Sequence, residues 1–151
     1  MEIIEYYSSQ NKEYWLNEIG KSDWGAGKYL YSLLKENKLK KLVGEEALVL
    51  LLIEDNNLIS FCTYAPLDDI QPTKLNPWIG FLYTFSLYRG NHYAKYLLDK
   101  ALALAIKDKK EYVYISTNHI GLYEKYGFEI YKIENDIESF PSRIYRKKTG
   151  V

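Results

Sequence analysis

The stretch Arg89-Gly90-Asn91-His92-Tyr93-Ala94 has the residue types and the setting to hold an anion. It lies between an apolar, aromatic run, Trp78 to Phe85, and a segment whose apolar residues recur at helical spacing. The first amides of a helix lack intrahelical partners and point out of its end, where the macrodipole adds roughly half a positive charge. Gly90 permits close backbone approach or a positive φ, Arg89 brings a permanent charge that can fork onto phosphate, and His92 can add another. The plainer alternative is an ordinary strand–turn–helix corner with Arg89 in solvent.

The elements around this turn follow from pattern. Ala94, Leu97, Leu98, Ala101, Leu104 and Ala105 mark the buried stripe of a helix running from Tyr93 to Asp108, with Lys95, Asp99 and Lys100 opposite. Glu2–Tyr7 reads as a strand, and Gln10–Ile19 and Ala26–Asn37 as helices, with Ser22 or Asp23 available to cap the second. Trp24, in the loop between those helices, either lines a pocket or covers the edge of the core. Ala47–Ile53 is apolar on both faces, as a central strand should be, and turns at Asp55-Asn56-Asn57 into a second strand, Leu58–Ala65. Pro66–Pro77 is a long loop carrying Asp68 and Asp69, suited to a substrate-binding edge. Tyr112–Ser116 is a strand, His119–Tyr126 a short helix ended by Gly127, and Phe128–Ile133 and Arg143–Lys147 are further strands. The fold expected is a single mixed α/β domain: a mostly antiparallel sheet with a parallel strand–helix–strand core, flanked by about four helices.

Composition narrows the function. The 151 residues include 20 basic and 20 acidic side chains, so no net field draws the chain to nucleic acid or to an anionic membrane. An RNA-binding module with stacking aromatics would want a basic stripe, which is missing. Cys62 is the only cysteine and there are two histidines, so a zinc site lacks its parts and no metal is expected. The flanks of Cys62, LISFCTYA, suggest a buried strand thiol. The longest apolar run, Ala47–Ile53, is far short of the about 20 residues a membrane helix needs, and MEIIEYYSSQ has no signal-peptide pattern. A cytoplasmic protein is the expectation.

The turn resembles motif A of the GNAT acetyltransferase superfamily, with Arg89 and Ala94 at the first and last positions and His92 where glycine is usual. Asn118-His119-Ile120-Gly121-Leu122-Tyr123-Glu124-Lys125-Tyr126-Gly127-Phe128 resembles motif B of the same superfamily. Both stand in the family's order and separation, and with the strand before them they span about a third of the chain. The wider run from Asn76-Pro77-Trp78 to Ser142-Arg143-Ile144-Tyr145 is similar to a bacterial branch of the superfamily.

The resemblance implies an acetyl-CoA-dependent N-acetyltransferase, with acetyl-CoA as cosubstrate and an amine as acceptor. Backbone amides from Arg89 through Gly90, Asn91, His92, Tyr93, Ala94 and Lys95 would wrap the pyrophosphate. A backbone N–H of Leu82, Tyr83 or Thr84 would meet the thioester oxygen, and Asn118 would hold the pantetheine arm. Tyr123, rather than its neighbour Tyr126, would supply the donor to the leaving thiolate. No carboxylate stands on Trp78–Phe85, so the general base is open. Asp68 and Asp69 could attract or deprotonate an amine, or form a solvated acidic loop. Glu138, Ser142 and Arg143 could face the acceptor, with Trp24 and Trp78 as a cation-binding wall. The rival reading is a catalytically weak CoA-binding sensor or interaction protein on the same fold. An extra strand near the carboxyl end could pair between subunits as a homodimer.

Overall fold

The computed structural model describes all 151 residues. Seven strands form one sheet: β1 (Glu2–Glu5), β2 (Leu48–Glu54), β3 (Asn57–Ala65), β4 (Trp78–Thr84), β5 (Tyr112–Thr117), β6 (Glu129–Asn135) and β7 (Pro141–Lys148). Their order across the sheet is β1-β2-β3-β4-β5-β7-β6, antiparallel throughout except for β4 and β5. That parallel pair is joined by α4 (Ala94–Lys107), the crossover that parallel strands require.

The alternation of β2 shows how the two faces are filled. Val49, Leu51 and Ile53 join a core with Trp15 and Ile19 of α1 (Lys12–Gly20), Leu30, Leu33 and Leu34 of α2 (Gly25–Lys35), and Leu39 and Val43 of α3 (Leu39–Val43). Leu50 and Leu52 point the other way, to Leu97, Leu98, Ala101 and Ala105 of α4. Each side chain pair of a strand faces opposite directions, so an all-apolar strand must be covered twice. Cys62 lies in the second core with no exposed surface, and burial pushes its thiol up, away from reactivity.

Four details depart from expectation. Neither Ser22 nor Asp23 caps α2: its N-cap is Trp24, Ser22 is buried, and Asp23 accepts a hydrogen bond from Tyr83 instead. The helix expected over His119–Tyr126 is only a 3₁₀ turn, Tyr123–Tyr126, because Gly121 takes a φ of +89° that breaks helical continuity. Its end at Gly127 is left-handed, as the sequence suggests. The last strand, β7, has no free edge, being held between β5 and β6, so near the carboxyl end only β6 lies at the sheet's edge. α3 follows α2 too closely, and is too short, for periodicity to announce it.

The site is positioned by a break in the sheet. Thr63 pairs with Gly80 but Phe61 with Tyr83, so β4 carries an extra residue. Phe81, within this bulge, has a φ of +51°. β4 pairs with β5 only at Trp78↔Tyr114 and Ile79↔Ile115, and beyond the bulge the two strands part. A wedge opens between them, with one unpaired edge of β4 along its side.

Candidate active site

The wedge is a cleft of about 760 Å3 bordered by β4, β5, the start of α4 and the 3₁₀ turn at Tyr123. At its outer end the amides of Gly90, Asn91, His92, Tyr93 and Ala94 have no hydrogen-bond partner, whereas Lys95 and Tyr96 already donate to His92 and Tyr93. Gly90 and His92 have φ of +86° and +56°, an alternation that turns successive N–H groups inward as an anion nest. Histidine is among the residues that tolerate this region, so its presence at the usual glycine position does not close the turn. Its imidazole Nδ1 lies 3.3 Å from the Tyr126 hydroxyl, across the cleft mouth.

Arg89 is folded back. Its Nε donates to the Thr84 carbonyl at 2.9 Å, its guanidinium lies 5.3 Å from the Tyr83 ring centre, and it approaches Asp23 at 4.0 Å. The Tyr83 hydroxyl donates to Asp23 at 2.6 Å, and Trp24 stacks on the Tyr83 ring, 5.6 Å away at 6°. This cluster ties the α1–α2 loop to β4, and the Tyr83 hydroxyl and Arg89 charge hold the Asp23 carboxyl below its usual range. Trp24 therefore lines the cleft while also covering Tyr83.

Tyr123 borders the cleft, packed on Phe128 and Tyr145. Burial, with smaller contributions from Cys62 and Tyr126, pushes its hydroxyl up to about 12. Leu82, Tyr83 and Thr84 lie on the free edge of β4.

Three of the expected residues are not turned to the cleft. Asn118 donates its side-chain amide to the Pro141 carbonyl at 3.3 Å, Asn91 to the Tyr88 and Arg89 carbonyls, and Lys95 pairs with Asp99 at 2.6 Å. The side chain of each is taken by a neighbour, which leaves Asn91 its unpaired amide alone. Trp78 is not a cleft wall either: it is wholly buried, its Nε1–H donating to Leu75. Ser142 is buried against the Ser116 hydroxyl, and Arg143 does not border the cleft.

A model of the acetyltransferase (GNAT) family matches residues 5–128. The chain belongs to this family. No curated protein sequence matches it significantly. Among solved structures, an aminoglycoside 6'-acetyltransferase type Ii is 15% identical over 99% of this chain and 97% of its own, with a TM-score of 0.72. An aminoglycoside 6'-N-acetyltransferase complexed with coenzyme A is 12% identical over 99% and 97%, with a TM-score of 0.68. An acyl-CoA N-acyltransferase from Pseudomonas aeruginosa is 21% identical over 97% of each chain, with a TM-score of 0.65. These likenesses establish a shared acyl-CoA N-acyltransferase fold.

No carboxylate stands on β4, but the β3–β4 loop brings one to the cleft. Asp68 reaches the cleft over Gly80, so close that a β-carbon on Gly80 would overlap its Oδ1. Burial, reinforced by the Asp69 charge, pushes the Asp68 carboxyl up to about 8. It is half-buried on the cleft wall, not part of a freely solvated acidic loop. Gly80 is the residue that sequence reasoning passed over, although an isolated glycine inside an apolar strand is itself a sign of a bulge or a close approach. Gly80→Ala is expected to displace Asp68 and destabilise the protein by about 1–3 kcal/mol, the usual range for overpacking. Thermal melts of the variant measure the second effect, and loss of any kinetic inflection near pH 8 measures the first.

Proposed function

We propose that this GNAT protein is an N-acetyltransferase that moves the acetyl group of acetyl-CoA to a primary amine of a small molecule or peptide, by direct attack in a ternary complex. The observation that carries this reading is the run of unpaired amides from Gly90 to Ala94, opening into the cleft that Asp68 and Tyr123 also border. The amides and the α4 dipole receive the pyrophosphate. The pantetheine arm lies along the free edge of β4, where it adds hydrogen bonds in the manner of a strand. The thioester oxygen meets an N–H of Leu82, Tyr83 or Thr84, a fixed donor of a kind worth about 2.7–4 kcal/mol as charge develops.

Asp68, ionised, takes a proton from the acceptor ammonium. The freed nitrogen attacks the thioester carbon, a C–N bond forms, and the tetrahedral oxyanion collapses with cleavage of the C–S bond. The second nitrogen proton goes to the departing sulfur, so the products are amide, thiol and one proton released through Asp68. A thiol of pKa about 8.5 is a stronger acid than Tyr123, so Tyr123 keeps its proton and steadies the thiolate by a hydrogen bond.

The alternative of a CoA-binding sensor rested on His92 and on the absence of a strand carboxylate; the open turn and the Asp68–Gly80 contact weigh against both grounds. The deciding experiment is release of free thiol from acetyl-CoA with a panel of primary amines. Release only with an amine present supports the transferase, and CoA binding without any release rejects it. Arg89→Glu is expected to weaken CoA binding by about tenfold or more in calorimetry, since it places a negative charge beside the nest and frees the Thr84 carbonyl. Unchanged affinity removes the pyrophosphate from this turn.

A further inference from the structure

A second cavity, about 290 Å3, opens beside the cleft and shares Trp24, Asp68, Phe81 and Ser116 with it. Four carboxylates border it: Asp68, Asp69, Asp136 and Glu138. No Lys, Arg or His does, and none of the four forms an ion pair anywhere in the chain. Asp69 Oδ1 is buried without a hydrogen-bond partner, and only the Ser116 hydroxyl near this carboxyl offsets its burial. The Ile137 amide donates to the Asp69 carbonyl at 2.7 Å, which holds the β6–β7 turn against the β3–β4 loop and keeps the acids together. One oxygen of Asp136 is engaged, accepting from the amides of Glu138 and Phe140, while the Glu138 carboxylate has no partner.

Apart from Ser116 the rest of the lining is apolar, and three aromatic rings form one wall. Tyr29 and Phe81 lie 6.2 Å apart, and Trp24 completes the wall. Phe81 occupies this wall with a positive φ, a strained conformation that persists only where the surroundings enforce it. Aromatic faces and unpaired carboxylates together suit an alkylammonium. The acids do not converge as a metal-binding group.

We propose that this cavity seats the non-reacting end of the acceptor, and that this end is itself a cation: the acceptor is a small di- or polyamine. This rests on the acyl-transfer reading above. The reacting amine lies at Asp68, on the border of the two cavities, and is deprotonated there. The distal ammonium stays charged among Asp69, Asp136 and Glu138, with the intervening alkyl chain against Phe81 and Tyr29. At about 290 Å3 the cavity sits at the lower end of small-molecule sites, which favours such a compact cation over a folded protein substrate.

The test is calorimetric titration of 1,4-diaminobutane and 1-aminobutane into protein saturated with CoA, paired with thiol release from acetyl-CoA and each amine. The diamine is expected to bind at least about tenfold tighter than the monoamine, and Glu138→Gln, at an exposed position, to cut that preference to within about threefold. The double variant Asp136→Asn, Glu138→Gln should abolish it. Equal binding of the two amines, no binding of either, or a preference that survives both variants overturns the proposal. Diamine preference without thiol release supports the cationic subsite and rejects the transferase reading, so the two ideas fail separately.

Discussion

Asp68→Asn is expected to lower kcat/KM by about 10²–10⁴, the range of a lost general base, while leaving CoA affinity unchanged. The wild-type rate should rise with pH through an inflection near 8, where Asp68 ionises, and the variant should lose that inflection. A pH–rate profile identical in shape in the two proteins would move the base elsewhere. The same substitution has a signature in stability. The folded-state pKa lies above the ordinary carboxylate value, so folding favours the protonated form. That contribution is complete below about pH 4 and is lost as pH rises towards 8. Asparagine carries no charge to desolvate, so Asp68→Asn should melt higher than wild type at pH 9, with the gap closing towards pH 4. A gap independent of pH would mean that Asp68 is not held neutral by its surroundings. Loss of activity together with a gain in stability at high pH is a pairing that damage to the fold cannot produce.

Tyr123→Phe is expected to reduce kcat by about 10–100-fold, matching the 1.5–3 kcal/mol of a hydrogen bond to a charged group. Acetyl-CoA affinity should change less than about threefold, because the hydroxyl meets charge only as the C–S bond breaks. The ring contacts with Phe128 and Tyr145 survive the change, so stability is preserved. Since Tyr123 titrates near 12, no loss of activity attributable to it should occur up to about pH 10. Esters of more acidic thiols should be less sensitive to the variant, because their leaving groups need less stabilisation. Equal kcat in the two proteins assigns the thiolate to another donor, and Tyr126→Phe is then the natural comparison, its hydroxyl facing His92.

The contrast between these two residues shows what sequence can carry. The position of Tyr123 on the cleft was legible because it stands four residues before Gly127 in a short local pattern, and local patterns survive as sequence spacing. The amides of Gly90–Ala94 were legible for the same reason: strand, turn and helix are adjacent in the chain, and a helix start exposes its donors wherever it occurs. The strands and long helices also follow from period alone, β2 most plainly, because an apolar residue on each face demands a layer on each side.

What distance along the chain conceals, only the tertiary structure decided. Asp68 lies over Gly80, twelve residues on, in space that a side chain at that strand position would fill. Burial, not residue type, then moves its pKa. The placement of β7 between β5 and β6, the side chains of Asn118 and Lys95 claimed by Pro141 and Asp99, and the meeting of Asp69 with Asp136 and Glu138 are likewise products of packing between remote segments. Hydrogen-bond competition and desolvation are set by neighbours in space, and no spacing in a single sequence records them.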